Sequence, residues 1–72
     1  ATDGDTVTYS ASNGGTATTG VSYSIASSDN SDTVSGMDVT FNGTGARTLT
    51  VTGTSATASD SPATATKSVT VS

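Results

Sequence analysis

Among its 72 residues the chain has no cysteine, no histidine, no tryptophan, no glutamate and no glutamine. Without cysteine there can be neither a disulfide framework nor a thiolate metal site. Without histidine as well, Ser-His-Asp and Cys-His catalysis and every imidazole metal site are excluded within the chain. Positive charge is scarce too: Arg47 and Lys67 are the two cations against six aspartates, and the net charge is −4. That balance disfavours a nucleic-acid groove or an anionic membrane surface as partner. No apolar run is long enough for a helical span, so membrane insertion is not expected. Residues 1–20 lack a basic segment followed by an apolar one, so no signal peptide is visible.

What is present is hydroxyl: 17 Thr and 13 Ser in 72 residues. Thr is β-branched and suits a pleated, half-wet surface. A Thr-rich chain with one Leu and no Glu or Gln is a poor helix former. Hydrophobic residues make up 31% of the chain, with one Phe, two Tyr and one Met among the bulky ones, so the core must be thin. A single domain of this size buries only about 60% of its unfolded surface.

Alternation of period two recurs between turn-rich gaps, the pattern of a small antiparallel sandwich. "TVTYSAS" (6–12) places Val7, Tyr9 and Ala11 on one face, and "GVSYSIASSD" (20–29) does the same with Val21, Tyr23 and Ile25. Between them "NGGTATTG" (13–20) is a Gly-rich connection that starts on the turn pair Asn13-Gly14. "SSDNSDTVSG" (27–36) is a polar loop with a short edge strand near Val34, and "MDVTF" carries Met37, Val39 and Phe41. "NGTG" (42–45) is expected to close a hairpin onto "ARTLTVTGTSA" (46–56), with Leu49 and Val51 inward and Thr48, Thr50 and Thr52 outward. "TASDSP" (57–62) is a loop, and "TATKSVTVS" (64–72) closes the chain with Val69 and Val71 inward. Arg47 and Lys67 share parity with the core faces of their strands; both are expected to lay their stems over the core with the charge in water. The expected core is Val7, Tyr9, Val21, Tyr23, Ile25, Val39, Phe41, Leu49, Val51, Val69 and Val71.

The order of these pieces resembles the polycystic-kidney-disease (PKD) type and bacterial immunoglobulin-like domains. "GDTVTYSAS" (4–12) is similar to the first conserved strand, "GVSYSIASSD" to the central strand, "MDVTFNGTGARTLTVTGTSA" (37–56) to the signature region and "ATATKSVTVS" to the closing strand. The PKD hallmark of Trp followed by a Gly-Asp-Gly turn is missing, with Tyr23 and "ASSD" in its place. The usual opening strand is absent or reduced to Ala1–Asp3. The resemblance implies an all-β, antiparallel immunoglobulin-like β-sandwich of about six to seven strands spanning 1–72 as one domain, its first strand short or missing. It also implies a spacer, adhesion or display role without catalysis.

The residues agree that catalysis is not expected. Ser is plentiful but has no base, and no two of Asp3, Asp5, Asp29, Asp32, Asp38 and Asp60 are singled out as an acid/base pair. No cofactor is expected. "DGD" (3–5) and "SDNSD" (28–32) offer hard oxygen ligands, so Asp3, Asp5, Asp29 and Asp32 are weak calcium candidates. Neither stretch matches a twelve-residue calcium loop, and the ordinary reading of all four is as turn formers. Gly43-Thr44-Gly45 lacks the Lys-Ser/Thr of a phosphate loop. Asn42-Gly43-Thr44 matches a glycosylation sequon.

The reading that follows is a structural or display module, extracellular or on a virion surface: a capsid decoration or tail-associated domain of a phage-like virus. Its partners would be other protein subunits of a larger assembly, with cell-surface glycans as a second class. The alternative is a PKD-like spacer in an adhesin, surface-layer protein or polysaccharide-degrading enzyme. A calcium-regulated carbohydrate-binding module is a weaker third, because aromatic stacking residues are scarce.

Overall fold

In a computed structural model, residues 1–11, 21–55 and 62–72 are described. They form six strands: β1 (Thr6–Thr8), β2 (Ser22–Ser27), β3 (Thr33–Ser35), β4 (Asp38–Thr40), β5 (Gly45–Thr54) and β6 (Ala63–Val71). Two antiparallel three-stranded sheets, ordered β1-β4-β3 and β2-β5-β6, pack together as a sandwich. The expected all-β class is therefore present, the opening segment Ala1–Asp3 forms no strand of its own, and the edge strand near Val34 is β3. The Asn13-Gly14 turn pair lies outside the described residues, as does most of the 57–62 loop.

The sheets are unequal. The three strands of the first sheet have three residues each, whereas β5 has ten and β6 nine. On the outer side of the small sheet the Thr6 and Thr40 hydroxyls bond at 2.8 Å, and Thr8 donates to Asp38 at 2.7 Å. These polar cross-strand pairs leave the valines of the same strands for the interior. β3 and β4 join through a two-residue turn, with Ser35 paired to Asp38. Gly36 at its first position has φ +60°, which a primed hairpin turn requires and side-chain-bearing residues resist.

The core forms where the small sheet covers the large one. Val39, Phe41 and Leu49 are fully buried, Ile25 and Val71 nearly so, and Val7, Tyr9, Met37, Val51 and Val69 pack around them. Two members of the expected core do not join it. Val21 and Tyr23 remain half-buried. Tyr23 lies opposite Gly53 on β5, and its ring would sit 3.3 Å from a Cβ placed there. The aromatic ring fills the space that glycine leaves, a local contact beyond the reach of the short sheet.

A second correction concerns residues 42–45. They do not close a hairpin, because β4 and β5 belong to different sheets. Phe41 still pairs with the chain before β1, donating its N–H to Asp5 and accepting from Gly4. The backbone then turns the corner, with φ +95° at Gly43 and +124° at Gly45. Turn chemistry reports that the chain reverses, not which sheet it joins next.

Candidate functional site

The inward parity of β5 continues past Leu49 to Arg47, and here the expectation of a water-reaching charge fails. Arg47 is 2% exposed. Its Nε donates to Asp32 Oδ2 at 2.8 Å and its Nη2 to Asp32 Oδ1 at 3.2 Å, a two-pronged contact that suits the planar guanidinium. Nη2 also donates to the carbonyls of Asn42 and Gly43 at 3.2 and 3.1 Å, and lies 3.4 Å from Asp29 Oδ2. The side chain thus fastens the corner that precedes its own strand to the loop that precedes β3. Only Lys67 behaves as the pattern suggested, and it is exposed.

Asp32 has a fully buried side chain that accepts from three residues: Arg47, the Ser27 hydroxyl at 2.7 Å and the Asn42 N–H at 2.9 Å. The Arg47 hydrogen bonds are the main reason its carboxyl is held down to about 2, with the Asn42 and Ser27 bonds adding to them against the cost of burial. Asp29 is half-buried and accepts from the Ser31 hydroxyl and N–H at 2.7 and 2.9 Å; these bonds lower its pKa. That pair is an Asx turn. Among the described residues no buried side-chain nitrogen or oxygen lacks a partner.

The four calcium candidates therefore fall into separate roles. Asp29 and Asp32 share the Arg47 guanidinium. Asp3 accepts from the Gly43 N–H at 2.8 Å, on the other side of the same corner. Asp5 is apart from them and accepts from the Thr2 N–H at 3.0 Å. Among the described residues no group of three or more His, Cys, Asp or Glu is placed to hold a metal ion. A cation would have to compete with the guanidinium for Asp29 and Asp32. The sequon's Asn42 uses its amide nitrogen on the Ser31 carbonyl at 2.9 Å. Asp60 lies outside the described residues.

Arg47 was missed as the centre of the cluster although a signal existed. An arginine on the core-facing parity of a strand whose neighbours are apolar needs a carboxylate close by, since arginine is rarely buried unpaired. What alternation could not supply was the identity of the partner.

An open concavity of about 290 Å³ lies between the large sheet and the segment after β1, lined among others by Tyr9, Ile25, Leu49, Val51, Ala65 and Lys67. Burial there pushes the Tyr9 phenol above its ordinary pKa. The cleft is mainly apolar with the Lys67 ammonium on its margin. Comparison with protein-family models, with curated proteins and with solved structures finds no match to this chain.

Proposed function

We propose that this domain is an immunoglobulin-like module that acts structurally, without catalysis, as a display or assembly unit on an extracellular particle, the preferred setting being a phage-like virion. The connectivity supports the family reading. In an immunoglobulin sandwich strands B, E and D form one sheet and C, F and G the other, once strand A is set aside. Assigning β1 to β6 as B, C, D, E, F and G reproduces both orders observed here. The observation that carries the reading is the corner. Immunoglobulin-type domains close the E–F corner with a tyrosine near the start of F that bonds back to the backbone just upstream. Arg47, near the start of β5, does this with the carbonyls of Asn42 and Gly43.

The structural role draws its support from how the polar groups are used. Asp3, Asp5, Asp29, Asp32 and Asp38 serve turns, the corner or a cross-strand pair rather than a cleft. The open faces carry Thr and Ser, which stay soluble while awaiting a neighbouring subunit.

One observation favours the second reading, a spacer in a secreted or cell-surface protein. Ser72 donates to the Ala1 carbonyl and accepts from the Asp3 N–H, both at 2.9 Å, the alternation of a parallel pair. Ala1–Asp3 thus runs in the direction of β6, and connections at the two termini lead toward opposite poles, as in a bead on a string. Antibody raised against the chain and applied to purified particles from the source separates the two. Regular surface labelling supports display. Label confined to soluble secreted or cell-wall protein contradicts it and leaves the spacer.

A further inference from the structure

We propose that Asn42-Gly43 is a covalent modification site under the control of the corner. While the corner is closed the Asn42 side-chain amide is held unreactive. When the corner opens it deamidates, and the product weakens the closed corner. This goes beyond the display reading and does not depend on it.

An asparagine followed by glycine offers this reaction the least hindrance, because the attacking nitrogen belongs to a residue without a side chain. The Gly43 nitrogen bonds to Asn42 Cγ while the Cγ–Nδ2 bond breaks, and ammonia leaves with the Gly43 amide proton. Water then opens the resulting imide, at Cγ to give aspartate or at the backbone carbonyl to give isoaspartate. Asn42 and Gly43 are both exposed, so water reaches them. What restrains the reaction is hydrogen bonding at both reacting nitrogens. Nδ2, on the leaving group, donates to the Ser31 carbonyl at 2.9 Å, and the Gly43 N–H, on the nucleophile, donates to Asp3 Oδ1 at 2.8 Å. The backbone is tied as well. The Asn42 N–H donates to Asp32 Oδ1 at 2.9 Å, and the carbonyls of both residues accept from Arg47 Nη2 at 3.2 and 3.1 Å. Turning the Gly43 nitrogen onto Cγ breaks the Asp3 bond and draws Nδ2 off Ser31, so ring closure waits on a local opening.

The product lacks the donor that Ser31 meets in the closed corner. A carboxylate in place of the amide faces the Ser31 carbonyl and joins Asp3, Asp29 and Asp32 around one guanidinium. Isoaspartate also lengthens the backbone by a methylene and shifts the carbonyls that Arg47 holds.

The test incubates the intact domain and a synthetic peptide of residues 38–47 in mildly alkaline buffer and follows Asn42 by peptide-mapping mass spectrometry. The proposal expects Asn42 to deamidate at least about tenfold more slowly in the domain, the weight of one retained hydrogen bond. Asp3→Ala, which frees the Gly43 N–H, should raise the domain's rate by about threefold to tenfold. Asp38→Ala removes the same charge from the Thr8 pair, away from the corner, and should leave the rate unchanged. Slow hydrogen exchange at Leu49 and Val51, both paired on two sides, shows in each sample that the domain is folded. Asn42→Asp, the product with its backbone intact, should melt about 4–8 °C below the parent. If Asp3→Ala does not fold, the domain-to-peptide ratio and the Asn42→Asp midpoint decide the matter. Equal rates in domain and peptide overturn the proposal. So does a folded Asp3→Ala with the parent's rate, or an Asn42→Asp with the parent's midpoint.

Discussion

Arg47 and Lys67 stand on the same face of neighbouring strands, two residues apart in register, yet they live in different solvents. Val69 lies opposite Arg47 and Leu49 opposite Lys67, so both cations point to the interior side of the large sheet. Over Arg47 the corner and the polar loop close, and a buried carboxylate meets it. Lys67 lies at the margin of the open cleft and stays exposed. The difference teaches that facing inward and being covered are separate facts. Strand alternation sets the first, while the lengths of the strands in the opposite sheet set the second. The chemistry of each cation matches its place: a forked guanidinium where fixed acceptors surround it, a flexible ammonium where water does.

Substitutions sharpen that contrast. The largest loss is expected at the covered end, where Phe41→Ala empties a fully buried site and should cost about 3–5 kcal/mol, comparable to the whole stability of a small domain. Denaturant titration should show little or no cooperative unfolding in that variant. Asp32→Ala leaves the guanidinium buried without its main partner and should cost about 3 kcal/mol. At the open end Lys67→Ala should change stability by less than about 0.5 kcal/mol. Equal losses for Asp32→Ala and Lys67→Ala would break the comparison.

Acid acts through the same pair. The Asp32 carboxyl titrates near 2 in the folded protein and near 3.9 when unfolded, so between those values the unfolded state binds more protons. Its contribution is fully present above about pH 4 and is lost as pH falls toward about 2. Thermal midpoints measured across this window should drop less steeply in Asp32→Asn than in the parent. The smallest effect concerns calcium. Since Arg47 already occupies the oxygens of Asp29 and Asp32, adding calcium or a chelator should leave the melting curve nearly unchanged. A marked upward shift with calcium would show that the ion can displace or join the guanidinium.

Much of this is legible in the sequence. Alternation placed Ile25, Val39, Phe41, Leu49 and Val71 inside, because each sits on a strand with one wet face. It overextended the core to Val21 and Tyr23, since a period-two pattern does not show where the covering sheet stops. The glycine inside "TVTGT" was a usable sign of close approach, and Tyr23 is what approaches. The corner at 42–45 looked like a hairpin because the same Asn-Gly chemistry serves both. The Arg47–Asp32 pair spans 15 residues and two loops, so only the folded chain brings it together.

The central claim is that a buried, hydrogen-bonded ion pair closes one end of this sandwich. Titrating the Asp32 side-chain carboxyl by NMR in the folded protein tests it most directly. The account predicts a midpoint at about 2. A midpoint near the ordinary aspartate value of about 3.9 would contradict it, because that carboxylate would then be solvated and free of Arg47.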